Sequence, residues 1–95
     1  MNRVEHLLTC FIEECSELQK LASKSNRFGL DDGYPGEDNT NRINLGHEFN
    51  DLLAVVEMLN KEAGNIFKES RKLINKKKAK VKHYMKYAKK RGTLL

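Results

Sequence analysis

Apolar residues recur every three or four positions along three stretches of this chain, and that spacing predicts three amphipathic helices. The predicted helices run from about Val4 to Lys24, from a cap at Thr40 or Asn41 to about Glu62, and from about Ile66 to Arg91. Gly64 interrupts the pattern after the second helix, and Gly92 follows the third helix as a C-cap glycine. The pattern therefore indicates an all-α protein.

Residues 26–44 are predicted to form the loop between the first two helices. This segment holds several glycines, the single proline of the chain and several Asp and Asn residues, all of which favour turns. A loop of nearly twenty residues is long for a plain connection, and loops of that length are often lids or binding loops. We therefore expect this loop to serve the function of the protein.

The length of the chain sets limits on its assembly and its surroundings. Its 95 residues are enough for one domain, residues 1–95, but the stripes on three helices exceed what so short a chain can cover. We therefore expect a helical bundle of three or four helices per chain that is completed by oligomerisation. No apolar run approaches the roughly 18 residues of a membrane helix, so no membrane partner is expected. Cys10 and Cys15 lie about 140° apart on a helix and cannot pair locally, which fits a reducing cytoplasm.

The net charge of +5 conceals an uneven distribution of charge along the chain. Residues 1–64 contain six Lys/Arg and twelve Asp/Glu, a net charge of −6. Residues 65–95, which include the basic C-terminal helix, contain twelve Lys/Arg and one acid, a net charge of +11. The two regions therefore need separate chemical explanations.

Four acids lie on the borders of the two acidic helices. On a helical wheel, Glu14 lies inside the edge of the first apolar stripe, and Glu17 lies about 60° further toward the rim. Glu48 lies inside the edge of the second stripe, and Asp51 lies about 60° beyond it. Each helix thus offers a pair of carboxylates at positions i and i+3. Packing the two stripes together is expected to bring all four acids to one point.

Such a cluster predicts a bound cation. Four carboxylates cannot share a semi-buried site as bare charges, because desolvation and mutual repulsion both oppose it. Ligand sets made only of oxygen favour Mg²⁺, with Mn²⁺ as a substitute, over zinc. Glu13 points away from the stripe centre, where it either reaches a second metal or a water from the flank or is only solvated.

The same acids resemble a known family pattern. In chain order they read EExxE, a gap of thirty residues, then ExxD, and the pattern comprises Glu13, Glu14, Glu17, Glu48 and Asp51. Further likeness lies in the segment that ends Arg27-Phe28-Gly29, in the Asp51-Leu52-Leu53-Ala54 continuation, and in the basic, tyrosine-containing C-terminal helix. Over most of its length the chain resembles the MazG-like all-α NTP pyrophosphohydrolases, in particular their short single-domain bacterial and phage forms.

The resemblance implies a fold, an assembly and an activity. It implies a helical bundle that forms a homodimer or homotetramer in a bacterial cytoplasm, or in the host cytoplasm if the chain is phage-encoded. It implies Mg²⁺-dependent hydrolysis of a nucleoside or deoxynucleoside triphosphate between the α- and β-phosphates, which yields a monophosphate and pyrophosphate. Carried over to this chain, the metal ligands are Glu14, Glu17, Glu48 and Asp51. Glu13 then lies beside them as the catalytic residue that orients the attacking water.

The third helix is predicted to add residues that bind the substrate phosphates. Its predicted buried stripe comprises Ile66, Ser70, Leu73, Ile74, Val81, Tyr84, Met85 and Ala88. Lys77 falls at the centre of that stripe, where its charge needs a partner, either the carboxylate cluster or a triphosphate bound over it. The predicted phosphate-binding residues are Lys77, Lys80, Tyr84 and Arg91. If the helix instead kinks near Asn75, this assignment fails.

Two other functions compete with hydrolysis. The charge of +11, with His83, Tyr84 and Tyr87 among the lysines, also fits a small basic helical regulator that binds nucleic acid. The acids at the stripe edges count against nucleic acid as a partner, since carboxylates repel a phosphate backbone. The third interpretation is an oligomeric interaction protein without catalytic activity, and it leaves the two acid pairs unexplained. His6, Phe28 and Tyr34 stay open as residues that contact a base.

Overall fold

A computed structural model describes residues 1–36 and 38–95, so Glu37, within the predicted loop, lies outside the described residues. It contains three helices, α1 (Arg3–Phe28), α2 (Asn41–Ala63) and α3 (Arg71–Arg91). No β-strand occurs in the described part of the chain, where Gly33 and Thr40 form an isolated β-bridge. The prediction of an all-α fold is therefore confirmed.

Side-chain caps fix where the helices begin. The side chains of Asn2, Thr40 and Ser70 accept hydrogen bonds from backbone N–H groups in the first turns of α1, α2 and α3. Of the two predicted caps of α2, Thr40 and Asn41, the structure has Thr40. The third helix ends at Gly92, whose φ of 81° lies in the left-handed region and whose N–H bonds to the last turn, as predicted.

Two predicted helix boundaries are wrong. The first helix continues to Phe28, which shortens the connection to residues 29–40. The third helix begins at Arg71 rather than Ile66. The reason is Asn60 on α2, whose side-chain amide bonds to both the N–H and the carbonyl of Phe67, at 2.9 and 3.0 Å. These bonds hold the segment before Ser70 in a non-helical path against the hairpin.

The connection between α1 and α2 is closed at its base by polar contacts. The Asn41 side chain is buried and donates a hydrogen bond to the Gly29 carbonyl at 2.8 Å. The Arg42 guanidinium bonds to both oxygens of Asp31, at 2.9 and 3.3 Å, and this contact holds the pKa of Asp31 below its usual value. The described part of the loop is therefore anchored to the start of α2.

The helices α1 and α2 form an antiparallel hairpin, and its core lies along their shared seam. Leu7 and Leu59 are the buried apolar side chains of this seam, and Leu59 is fully buried. An ion pair of 2.9 Å between Arg3 and Glu62 lies at one end of the seam. Buried Ser25 and Asn41 lie at the other end. The acid cluster described below sits between these two ends.

The third helix stands away from the hairpin. Among the described residues, α3 has no close backbone contact with α1 or α2, and none of its residues is buried. The radius of gyration is 17.0 Å, well above the ~12 Å of a compact chain of this length. The predicted buried stripe on α3 is therefore wrong within one chain, because the helix has nothing to pack against. Lys77 is accordingly exposed.

Within the described residues, none of the helices combines the length and apolar character needed to cross a membrane. Cys10 and Cys15 are half-buried free thiols.

Candidate metal centre

Three of the predicted acids meet in the middle of the hairpin. Glu14 on α1 and Glu48 and Asp51 on α2 each offer one carboxylate oxygen, and these oxygens lie within 4.8 Å of one another. Glu48 and Asp51 are three positions apart, so one helical turn places both on the side of α2 that borders the seam. Glu14 faces them from the antiparallel helix. The spacing of the oxygens suits a shared cation.

Glu48 is the most constrained member of the cluster. Its Oε1 atom is buried and has no hydrogen-bond partner among the described residues. The neighbouring Glu14 carboxyl, which favours a proton shared with Glu48, then burial, then the charges of Glu14, Asp51 and Glu17, raise the pKa of Glu48 from 4.5 to about 7. A buried carboxylate oxygen without a donor is costly, and a divalent cation would supply the missing positive charge.

Glu17 and Glu13 lie outside this group of three. Glu17 is exposed on α1, one turn beyond Glu14, yet close enough that its charge contributes to the raised pKa of Glu48. Glu13 is also exposed, and it is adjacent to Glu14 along the chain. The structure thus brings together three of the four predicted ligands and places the fourth at their edge.

The donor set fits a hard cation. All the donors are carboxylate oxygens, and Asp51 is exposed, so the cluster opens to solvent on one side. Mg²⁺ characteristically uses a few carboxylates and keeps several waters or phosphate oxygens in its coordination shell. A partly open cluster of this kind can therefore hold Mg²⁺ and leave coordination positions for a substrate. The buried Glu48 Oε1 atom is the observation that favours an ion over a merely solvated group of acids.

The predicted phosphate-binding residues are placed elsewhere. Lys77, Lys80 and Tyr84 line one shallow concavity on α3, together with the apolar residues Val81 and Met85. Arg91 is exposed in the last turn of the same helix. Because α3 does not pack on the hairpin in the described chain, one chain does not bring these side chains to the acid cluster.

A small pocket lies further along the hairpin and was not predicted from the sequence. It is lined by Met1, Asn2, Arg3, His6, Leu7 and Met58. Met58 follows Asp51 by seven residues, so it lies on the same side of α2 and about 10 Å along the helix axis. This i, i+7 relation was the available signal. The pocket therefore lies beside the acid cluster on one face of the hairpin.

The other two residues considered for contact with a base, Phe28 and Tyr34, are not near the acid cluster. Phe28 is 55% exposed at the end of α1, under the Arg27 guanidinium. Tyr34 is 65% exposed in the loop, with the Lys24 ammonium 5.8 Å from its ring centre. Of the three residues considered for contact with a base, His6 alone lines the pocket beside the cluster.

Comparison of the chain with protein-family models, with curated proteins and with solved structures finds no match in any of the three. The residues and their geometry are therefore the basis for assigning a function.

Proposed function

We propose that this protein is a Mg²⁺-dependent nucleoside triphosphate pyrophosphohydrolase that resembles the MazG-like enzymes. The observation that carries the proposal is the meeting of Glu14, Glu48 and Asp51, with the buried Glu48 Oε1 atom lacking a hydrogen-bond partner among the described residues. The order and spacing of the acids, EExxE followed by ExxD, agree with the same activity. Cleavage takes place between the α- and β-phosphates.

Each acid has a role in this proposal. Glu14, Glu48 and Asp51 hold the cation, and Glu17 joins them from the rim. When bound, Mg²⁺ neutralises the phosphate charge and so makes the phosphorus open to attack. Glu13 lies on the flank of the cluster, where it orients the attacking water and accepts its proton. The half-buried position of Glu48 fixes one side of the site, and exposed Asp51 faces the substrate.

The nucleoside is proposed to lie along the hairpin toward the pocket of His6, Leu7 and Met58. The axial distance of about 10 Å between Asp51 and Met58 matches the extent of a nucleotide from its phosphates to its base. Methionine and leucine side chains offer apolar contacts to a base, and the His6 ring offers a hydrogen bond or stacking. This placement leaves the triphosphate over the acids.

Assembly into a homodimer or homotetramer is part of the proposal. One cleft between α2 and the segment that follows it, here called the apolar cleft, is lined by Phe49, Leu53, Val56, Ile66 and Phe67 together with Lys68 and Glu69. Phe49 and Ile66 are each 52% exposed, which leaves a contiguous apolar surface open in the single chain. A second copy that covers this surface completes a helical bundle. In the same assembly, α3 of a neighbouring copy can bring Lys77, Lys80, Tyr84 and Arg91 over the substrate phosphates.

Product analysis tests the proposal. Purified protein is incubated with Mg²⁺ and a panel of ribo- and deoxynucleoside triphosphates, and the products are identified by ³¹P NMR. We expect a monophosphate and pyrophosphate from at least one substrate, and no turnover when EDTA removes the metal. Diphosphate and orthophosphate as first products would contradict α–β cleavage. Absence of turnover across the panel would contradict the enzymatic proposal.

A further inference from the structure

The charge on α3 is far larger than the binding of one triphosphate requires. The helix contains eleven Lys/Arg and no acid. The candidate residues Lys77, Lys80 and Arg91 account for three of these, and eight remain without a role in the proposed hydrolysis. So dense a set of like charges repels itself along the helix, and it is relieved by a polyanion.

The remaining cations lie on one side of the helix. At 100° per residue, an arc of about 120° holds Leu73, Ile74, Val81, Tyr84, Met85 and Ala88, and the eight cations lie outside it. This basic arc comprises Arg71, Lys72, Lys76, Lys78, Lys82, Lys86, Lys89 and Lys90. All eight side chains are exposed. The arc runs the length of the helix, which for 21 residues is about 30 Å.

Aromatic rings interrupt the basic arc near its C-terminal end. His83 and Tyr87 share a shallow concavity with Lys86, Lys89 and Lys90, and no other residue lines it within the described chain. Tyr87 is 59% exposed, so its ring face is open to a ligand. A concavity that combines one open aromatic ring with three cations can stack a planar base and contact the flanking phosphates together.

The carboxylates that would repel a phosphate backbone lie apart from α3 within the described chain. Among the described residues, the acid cluster lies on α1 and α2, and α3 has no close backbone contact with either helix. The basic arc lies opposite the apolar stripe of α3, and so it stays accessible when that stripe packs against another copy of the chain.

We propose that the basic arc of α3 binds single-stranded nucleic acid, with its lysines on the phosphates and a base stacked on Tyr87. A single strand is favoured over a duplex because its bases are free to stack on an open ring. Nucleic acid is favoured over an anionic membrane because Lys77 lies at the centre of the apolar stripe. Insertion of that stripe among lipid chains would bury this charge.

The test measures binding without any nucleotide turnover. Fluorescence anisotropy of a labelled oligothymidylate is followed over a range of salt concentrations for the wild-type protein, for Lys82→Gln/Lys89→Gln and for Tyr87→Ala. The matched control is Lys20→Gln/Lys61→Gln, which removes the same charge from exposed positions of the hairpin. Circular dichroism checks that each variant keeps its helices.

We expect the α3 double variant to bind at least about tenfold more weakly and to reduce the slope of log K against log salt by about 1.4, since each lost phosphate contact contributes ~0.7. Tyr87→Ala should weaken binding about fivefold or more, the loss typical of one stacked base. The control should bind within about twofold of wild type, because its lysines lie off the arc. NTP hydrolysis is measured separately and is expected to be unchanged in the α3 double variant.

Four results would overturn the proposal. The first is an equal loss of binding in the hairpin control, which would mean that only total charge matters. The second is tighter binding to a duplex than to its separate strand, and the third is no effect of Tyr87→Ala. The fourth is binding to vesicles of phosphatidylcholine with phosphatidylserine but not to the oligonucleotide. Because none of these measurements uses NTP turnover, their outcome is independent of the proposed hydrolysis.

Discussion

The hairpin and the third helix show similar helical periodicity, but they differ in packing: the hairpin helices pack on each other, whereas α3 does not pack on them in the described chain. The hairpin belongs to the region of net charge −6, buries Leu7 and Leu59, and holds polar groups under constraint. The third helix belongs to the region of net charge +11 and buries no residue in the described chain. Periodicity therefore predicts that a helix forms, but a buried face also needs a complementary partner. In this molecule the acid cluster lies in the hairpin, where each helix has the other to pack against.

The largest expected effect comes from the acids of the hairpin. Replacing Glu14, Glu48 or Asp51 with the matching amide removes a metal ligand without a change in shape. We expect hydrolysis to fall by about 10³-fold, since a metal contributes several kcal/mol to phosphoryl transfer and each 1.36 kcal/mol is tenfold. Steady-state release of pyrophosphate measures the loss.

The control for this series is Glu57→Gln on α2. This residue is exposed and takes no part in the cluster, so the substitution changes the charge equally without removing a ligand. A rate for Glu57→Gln as low as that of Asp51→Asn would show that only net charge matters. Near wild-type rates for all three cluster variants would place the active site elsewhere.

The next largest effect concerns the apolar cleft. The wild-type protein should have the mass of a dimer or tetramer by size exclusion with light scattering, rather than the 11.0 kDa of one chain. Phe49→Glu places a carboxylate on that surface and should shift the mass toward 11.0 kDa. Ala54→Glu adds the same charge on another exposed face of α2 and should leave the mass unchanged. A monomeric wild-type protein would contradict the proposed assembly.

A smaller effect separates two neighbouring lysines of α3. Lys77 lies in the concavity with Lys80 and Tyr84, whereas Lys78 belongs to the basic arc. Lys77→Ala should raise the Michaelis constant for NTP by about tenfold, the value of one charge-assisted contact. Lys78→Ala should leave it within about twofold and weaken oligonucleotide binding instead. Equal effects of both variants on the Michaelis constant would remove the distinction between the two faces of α3.

The smallest effect is the pH dependence of stability without metal. The pKa of Glu48 in the folded protein is about 7, above its ordinary 4.5, so the folded state favours the protonated carboxyl. Its contribution to stability is complete below about 4.5 and is lost as the pH rises through about 7. The melting temperature in EDTA should therefore fall across this range. Glu48→Gln should flatten the fall, and an identical pH profile in the variant would contradict the assignment.

Three features were predicted well because their sequence signals are local. The cap at Thr40, the C-cap at Gly92 and the i, i+3 acid pairs depend on residues within one or two turns of each other. The late start of α3 was missed because the cause is a tertiary contact, the Asn60 side chain on the backbone of Phe67. The free position of α3 was missed because a wheel shows which residues share a face but not whether that face is covered.

Within the site, too, features set by local periodicity could be predicted and features set by tertiary structure could not. Glu14, Glu48 and Asp51 could be predicted, because an acid at the edge of an apolar stripe is placed near the seam by periodicity alone. The wheel placed both Glu17 and Asp51 about 60° toward the rim of their stripes, so it could not show that Asp51 joins the group of three and Glu17 does not. The pocket of His6 and Met58 needs residues from both helices, so it required the register of the hairpin.

The central claim is that Glu14, Glu48 and Asp51 form a cation site, and paramagnetic Mn²⁺ tests it most directly. Substoichiometric Mn²⁺ is added to ¹⁵N-labelled protein, and the broadening of each amide signal is measured for wild type and for Asp51→Asn. We predict that the strongest broadening centres on residues 14–17 and 48–51 and that it disappears in Asp51→Asn. Broadening centred instead on the loop acids Asp31 and Asp32, or broadening that persists in Asp51→Asn, would contradict the claim.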